Sequence, residues 1–258
     1  MRYLPLLLLF TACATAQPRS SLVATDFFLD PVGKEYLLLS DGSLVTTNPL
    51  GQNDFAFFDS SLGRPDAVDV TNPFAVLLFY ADYGRVVILD RTLSEIRRLD
   101  LFSLDGVEQP TLLARATDNG IWLFDAWDYR LKQMSQDGTI TTTSNDLRLA
   151  LKTRAEPAGL YVYQNLVLLH YAEDRRLGVF TNYGRFQRWV NLPEGENFTW
   201  LDGRLAGRET SVYWTFDLRT NNTSRTQVRG EVDERWLPVN EGYRRLNLKT
   251  NRTEFIEK

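Results

Sequence analysis

Apolar and polar positions alternate in short runs along this chain, and one run returns three times. Each copy has an alanine, three further residues, then an arginine followed by valine or leucine. The copies are 79–90 (FYADYGRVVILD), 124–135 (FDAWDYRLKQMS) and 170–181 (HYAEDRRLGVFT). Their arginines, Arg85, Arg130 and Arg176, stand 45 and 46 residues apart. A period of this length predicts a chain built from repeated modules.

Every copy predicts the same order of strands. An apolar strand leads to a polar tip, and a second strand starts at the arginine. The apolar strands are predicted at Val76–Tyr80, Ile121–Phe124 and Leu166–Tyr171. A further strand follows a turn in each copy, and its first apolar residues, Ile96, Ile140 and Phe186, keep spacings of 44 and 46 residues. Two markers with one period indicate a genuine repeat.

The segments between the apolar runs carry turn formers, and no amphipathic helix of substantial length is found. Asp41-Gly42, Asn119-Gly120 and Asp137-Gly138 are examples of these turns. Modules of about 45 residues with four short strands are typical of β-propeller blades. A single blade cannot bury both of its faces, so neighbours must stack in a ring. We therefore predict an all-β protein with a single β-propeller of five to six four-stranded blades. The alternative is a β-sandwich or barrel.

The repeats also resemble a known group of proteins. Over roughly residues 25–257 they are similar to the NHL/YVTN-like β-propeller superfamily. The stretch that begins at Leu62-Gly63-Arg64-Pro65-Asp66, passes through 69–74 and 78–80, and ends at Leu89-Asp90 resembles uncharacterised bacterial envelope proteins of this kind. The resemblance implies an exported propeller. It carries over no catalytic residue.

The first residues, MRYLPLLLLFTACATAQ, predict an export signal. One positive charge at Arg2 precedes an apolar run from Tyr3 to Phe10, which is too short to span a bilayer as a mature helix. The predicted domains are a signal peptide and lipobox region (1–16), a tether (17–24) and the propeller (25–258).

Two main cleavage interpretations remain open, together with an uncleaved anchor. The residues before Cys13 resemble a bacterial lipobox, although Phe10 stands where leucine is usual. Lipidation of Cys13, the only cysteine of the chain, would make a membrane-anchored lipoprotein that faces the periplasm or the cell surface. Alternatively, Ala14-Thr15-Ala16 is a site for ordinary cleavage, which would release a soluble periplasmic or secreted protein.

Composition argues against several functions. The net charge of −4 disfavours nucleic acid as the main partner, because phosphate binding requires a basic surface. With one histidine and no cysteine after the signal, we expect no metal and no cofactor. The histidine, His170, ends an apolar strand and is interpreted as a core residue. No glycine-rich phosphate loop or nucleophile elbow is present, so no catalytic residue is predicted.

The tips of the repeats hold the remaining candidates. Acids recur there, and they either cap local turns or form a ring that could hold calcium or act on glycans. These acids are Asp41, Asp82, Asp128, Glu173 and Asp174. The repeated arginines are predicted to pair with the tip acids of their own or the adjacent blade. The alternative is a basic ring that recognises carboxylates or glycans. Three tip aromatics, Tyr83, Trp127 and Tyr129, are predicted to point into solvent as an interaction surface. Inter-blade packing is the alternative for them.

The function predicted from these patterns is that of a non-enzymatic, exported propeller. It would be tethered to an envelope membrane, such as the outer membrane, and act as a scaffold for other envelope proteins. The alternatives are a hydrolase or lyase that acts on polysaccharide through central carboxylates, and a sensor of glycans or small molecules.

Overall fold

The computed structural model describes residues 22–47, 53–227, 233–239 and 241–257. The predicted signal region, its lipidation site Cys13 and most of the predicted tether lie outside these residues. Six antiparallel sheets follow one another along the described chain, and within each sheet every strand pairs with the next one in sequence.

The first three sheets have four strands each. Sheet 1 contains β1 (Ala24–Leu29), β2 (Glu35–Leu39), β3 (Leu44–Thr47) and β4 (Asn53–Phe57). Sheet 2 contains β5 (Ala67–Asp69), β6 (Val76–Tyr80), β7 (Arg85–Leu89) and β8 (Glu95–Asp100). Sheet 3 contains β9 (Pro110–Arg115), β10 (Ile121–Asp125), β11 (Arg130–Met134) and β12 (Ile140–Thr143).

Two further sheets have four strands, and the last has three among the described residues. Sheet 4 contains β13 (Gly159–Tyr163), β14 (Leu166–Tyr171), β15 (Arg176–Thr181) and β16 (Phe186–Asn191). Sheet 5 contains β17 (Glu196–Leu201), β18 (Arg204–Glu209), β19 (Val212–Asp217) and β20 (Asn222–Gln227). Sheet 6 contains β21 (Glu234–Val239), β22 (Gly242–Asn247) and β23 (Arg252–Glu257). One α-helix, α1 (Leu147–Leu151), and two 3₁₀ turns, Ala81–Tyr83 and Leu101–Ser103, complete the elements.

The sheets form a closed ring. First strands of neighbouring sheets touch: β9 contacts β5 and β13, while β21 contacts β17 and β1. Polar contacts join the last sheet to the first, since the Arg244 guanidinium lies 2.7 Å from Glu35 and the Thr253 hydroxyl donates to Glu35 at 2.6 Å. The protein is thus a six-bladed β-propeller. This confirms the predicted fold and excludes the sandwich and barrel alternatives.

Apolar side chains fill the spaces between adjacent blades. All five residues of β6 are buried, because its two faces are covered by the blades on either side. Trp122 of sheet 3 shares a cluster with Tyr171 of sheet 4, and Leu168 of sheet 4 shares the next cluster with Trp214 of sheet 5. Each blade thus depends on its neighbours to cover its apolar faces, as the repeat predicted.

The later blades follow a shorter period, which explains why the repeat fades in the sequence. Second strands begin at Ile121 and Leu166, 45 residues apart, but the next two begin at Arg204 and Gly242, each 38 residues after its predecessor. Sheet 3 is joined to sheet 4 by a connection over 144–158, whereas 192–195 suffices to reach sheet 5. Loop length, rather than loss of strands, therefore changes the period.

Candidate functional site

One end of the propeller, here called the tip face, brings together the predicted tips. Strands alternate in direction within a sheet, so the turn between second and third strands lies at the same end as the connection to the next sheet. The turns on this face include 81–84, 126–129 and 172–175, and the connections include 58–66 and 144–158. Loops presented by a rigid scaffold are common places for binding residues.

The repeated arginines pair with acids of their own blades. Arg85 contacts Asp100 at 2.5 Å, Arg130 contacts Asp128 at 3.7 Å, and Arg176 contacts Asp174 at 2.5 Å. These side chains are roughly one third exposed, so the pairs contribute little to stability. The predicted pairing with tip acids is thus confirmed for Arg130 and Arg176, whereas Arg85 pairs with Asp100 at the end of β8.

The tip acids have separate local partners. Asp41 accepts hydrogen bonds from the amide and hydroxyl of Ser43 at 2.9 and 2.6 Å, which is the capping role expected in a turn. Asp128 and Asp174 contact their blade arginines, while Asp82 and Glu173 are exposed. Within the described ranges, no group of three or more histidine, cysteine, aspartate or glutamate residues is arranged to hold a metal ion.

The three predicted tip aromatics differ in exposure. Trp127 is 70% exposed and Tyr83 is 49% exposed, whereas Tyr129 is only 4% exposed. The prediction that Tyr129 points into solvent is wrong, because its ring packs edge-on against Phe124 with centroids 5.0 Å apart. The ring also belongs to the apolar cluster between sheets 3 and 4, which includes Tyr171. A binding role for Tyr83 and Trp127 stays a prediction.

Three exposed apolar residues of the tip face were missed from the sequence: Phe58, Phe102 and Leu149. All lie in connections between sheets, which carry no repeat signal. The Phe102 ring lies against Gly84, where a Cβ would come within 2.8 Å of ring atoms, and φ at this glycine is +55°. Glycine is therefore required here to place Phe102 beside Tyr83. The result is an apolar rim over sheets 2 and 3.

Beside this rim lies a cleft of about 740 Å³. Its walls come from the 126–129 turn and from the connection that carries α1. The lining residues are Ala126, Tyr129, Asp146, Arg148, Leu149, Lys152, Thr153, Arg154 and Glu156. The volume is typical of ligand pockets, and the lining mixes apolar side chains with charges of both signs. Sequence patterns gave no indication of this cleft, because one of its walls is the connection between sheets 3 and 4, which lies outside the repeat.

A second constellation lies around the propeller axis, on innermost strands. Asp26 stands beside a bulge in β1, and β-bulges often occur near functional sites. Burial raises the pKa of Asp26, although the Phe27 amide and the charges of Arg235 and Arg64 oppose this shift. The pKa of Tyr161 in β13 is raised by burial and by the nearby Asp26 charge. The charges of Arg235 and of Arg64, which lies in the connection 58–66, thus act on Asp26, and the charge of Asp26 acts on Tyr161.

The residue Arg64 is positioned by close backbone packing. A Cβ on Gly42, whose φ is +89°, would lie 2.7 Å from the Arg64 Cα, so only glycine permits this approach. The ring of Tyr161 stacks on Trp200 with centroids 4.8 Å apart and planes 14° from parallel. Both contacts hold the axial groups on rigid parts of the fold.

The single histidine is a core residue, as interpreted from the sequence. His170 is 1% exposed and packs edge-on against Phe198, with ring centroids 4.3 Å apart. Burial lowers its pKa to about 4, so the ring is neutral at physiological pH. In the part of the chain that the structure describes, no helix has the length and apolar character to cross a membrane.

Comparisons with solved structures identify other propellers. A catalytically inactive virginiamycin B lyase from Staphylococcus aureus, determined with quinupristin, is 11% identical with a TM-score of 0.60, over 93% of this chain and 86% of that one. The Cps50 (Swd1) β-propeller domain from Myceliophteria thermophila is 10% identical with a TM-score of 0.62, over 91% and 97%. A nidogen/laminin complex contains a chain 14% identical with a TM-score of 0.53, over 75% of each.

At these identities the similarities show the fold alone. No protein-family model matches the sequence, and no curated protein matches it significantly. The function must therefore be argued from the site.

Proposed function

We propose that this protein is an exported, membrane-tethered scaffold that binds another envelope protein through its tip face. The scaffold has no enzymatic activity in this proposal. Its anchor is a lipid on Cys13, a residue that follows an apolar export signal in the sequence.

The observation that carries the proposal is that exposed aromatic side chains lie side by side on the tip face, where Phe102 packs against Gly84 next to Tyr83. Exposure alone would not suffice, since Val32, Phe74 and Tyr183 are exposed on the opposite face. Trp127, Phe102 and Tyr83 are 70%, 52% and 49% exposed on neighbouring blades. Exposed aromatic residues are enriched in protein interfaces, where a few of them supply most of the binding energy. The rim is mounted on rigid sheets, so little conformational entropy is lost on binding.

Site-specific photocrosslinking in the native cell tests the scaffold role. A benzophenone amino acid at position 127 should give one dominant crosslinked protein. The matched control is position 183 on the opposite face, since Tyr183 is 66% exposed and so almost equal to Trp127. Equal labelling from both faces, or no crosslinked protein from position 127, would contradict the proposal.

The anchor has an independent test. Cys13→Ser should move the protein from the membrane to the soluble fraction and abolish labelling with a clickable fatty acid. A Cys13→Ser protein that stays in the membrane fraction would show that another segment anchors it. Loss of the anchor would leave the crosslinking contacts of position 127 intact if the partner is soluble.

The axial constellation favours a second candidate, a lyase or hydrolase that acts on polysaccharide. A carboxylate and a phenol can move protons, and two arginines can hold the acidic group of a sugar. In this case Asp26→Asn would abolish release of sugar fragments from an acidic polysaccharide, while Trp127→Ala would not. Wild-type protein that releases no fragments from a panel of acidic and neutral polysaccharides would remove this candidate.

A further inference from the structure

The cleft beside α1 differs from the rest of the tip face in shape and charge. We propose that it binds an acidic segment of the partner protein, with an apolar side chain of that segment seated against Leu149 and Trp127. This inference rests on the proposed scaffold function and names the chemistry of the partner.

The cleft is preformed. Leu147 and Leu151 of α1 are buried in the core between sheets 3 and 4, and the amide of Leu147 donates to the carbonyl of Tyr129 at 3.0 Å. The Tyr129 hydroxyl donates to the carbonyl of Ala155, and the amide of Ala155 donates to the Thr153 hydroxyl at 3.1 Å. Both walls are therefore held by hydrogen bonds and by core packing, so binding requires little ordering.

Charges in the cleft favour an anion. Arg148 is already matched, since it contacts Asp146 at 2.8 Å and lies 5.7 Å from the centre of the Tyr129 ring. Lys152 and Arg154 are exposed, and neither forms an ion pair with another described residue. Glu156 is the one remaining carboxylate of the lining. Two uncommitted cations against one carboxylate leave a local positive excess on a protein whose net charge is −4.

Each wall contains one residue with a left-handed backbone. Tyr129 and Lys152 have φ angles of 57° and 53°. The same conformation occurs in other turns of the propeller, for example at Arg175 and Thr210, so it shapes these loops without singling out the cleft. The Lys152 conformation ends α1 and directs the chain toward Arg154, which lines the cleft.

Apolar side chains beside the cleft indicate that the bound segment also carries an apolar residue. Leu149 is 81% exposed on the cleft wall, and Trp127 is 70% exposed in the turn that supplies Ala126 and Tyr129. A purely hydrophilic anion would leave both of them in water. An acidic peptide segment with one aromatic or aliphatic residue would cover them and meet the cations as well.

An anionic membrane surface is the competing occupant. It would also pair with Lys152 and Arg154 and accept Trp127 and Leu149. However, the cleft is concave, and this shape suits a chain segment that enters it better than a flat bilayer.

Selection from a random library of 12-residue peptides on phage tests the inference with the purified full chain in mild detergent. We expect enrichment of peptides that combine aspartate or glutamate with an aromatic or aliphatic residue. By fluorescence anisotropy, these peptides should bind Lys152→Glu/Arg154→Glu at least tenfold more weakly. The matched control is Arg91→Glu/Arg185→Glu, which reverses two exposed cations on the opposite face and should leave binding unchanged.

Three results would overturn the inference: no enrichment, enrichment of basic or neutral peptides, or equal weakening by both charge reversals. Vesicles of phosphatidylglycerol and phosphatidylcholine form the second arm. Vesicle binding that is lost in Lys152→Glu/Arg154→Glu, without peptide binding, would assign the cleft to the membrane.

The two proposals fail separately. If position 127 crosslinks a partner but reversing the charges of Lys152 and Arg154 does not weaken the binding of acidic peptides, the scaffold proposal stands and the cleft assignment is wrong. If acidic peptides bind the cleft but crosslinking recovers no protein, the cleft assignment stands and the envelope scaffold is wrong.

Discussion

Lys132 and Asp125 form an ion pair of 2.7 Å in which both side chains are almost completely removed from solvent. The carboxylate of Asp125 also accepts hydrogen bonds from the amides of Glu108 and Gln109 at 2.9 and 3.0 Å. Burial alone would raise the pKa of Asp125, but these donors and Lys132 outweigh it, so the pKa is lowered. Asp125 therefore joins the connection that precedes sheet 3, through Glu108 and Gln109, to the turn that carries Trp127.

Removing one member of this pair should be costly. Lys132→Met would leave a buried carboxylate without its cation, which typically costs about 3–5 kcal/mol. Arg130→Met is the matched control, since Arg130 is 39% exposed and its loss should cost less than about 1 kcal/mol. Denaturant unfolding of both variants measures the difference. Similar midpoints for the two variants would show that the buried pair is not important for stability.

His170 should make stability depend on pH. Its pKa is lowered from 6.5 to about 4 in the folded protein, so the unfolded chain takes up the proton first as pH falls. The stabilisation is complete above pH 6.5 and is lost as pH falls toward 4, by up to roughly 3 kcal/mol at about 1.36 kcal/mol per pKa unit. Subtracting the unfolding curve of His170→Leu from that of the wild type isolates this contribution. A difference that is constant between pH 7 and 4 would refute it.

Truncation of Tyr129 should destabilise the protein much more than truncation of Trp127. Tyr129→Ala removes a buried ring from its contact with Phe124, and we expect a loss of about 3–5 kcal/mol. Trp127→Ala removes an exposed ring, and the free energy of unfolding should change by less than about 0.5 kcal/mol. Thermal and denaturant unfolding provide the measurement. Comparable losses in the two variants would mean that Trp127 packs against the blade.

The repeated arginines should contribute to stability to different extents. Arg176 lies 2.5 Å from Asp174 and 4.3 Å from the centre of the Trp189 ring, whereas Arg130 lies 3.7 Å from Asp128. We expect Arg176→Gln to destabilise the protein by about 1 kcal/mol, because it loses an ion pair and a cation–π contact. Arg130→Gln should be nearly neutral. The reverse order in chemical denaturation would contradict this assignment.

The order and extent of most strands could be predicted from the sequence. The second strands at Val76–Tyr80 and Leu166–Tyr171 occur where the apolar runs placed them, and the third strands start at Arg85, Arg130 and Arg176. These features are local, since a run of apolar residues and the turn that ends it lie within a few positions of each other. That the arginines pair with acids was predicted as well, but only the structure shows that these acids belong to their own blades.

The candidate site could be predicted only in part. Trp127 and Tyr129 occupy one turn, yet they are 70% and 4% exposed, because the Tyr129 ring packs into the apolar cluster between sheets 3 and 4. The cleft forms only where this turn packs against the connection that carries Lys152 and Arg154, a contact that no local pattern predicts.

The sequence by itself therefore determined the repeat, the strands and the propeller, because each blade encodes its own hairpins and its need for neighbours. Tertiary structure alone decided which tip side chains face water, which charges remain uncommitted and that the charge of Asp26 acts on Tyr161. The physical reason is that these properties depend on how turns and connections pack against neighbouring strands and blades, which leaves no repeated pattern in the chain.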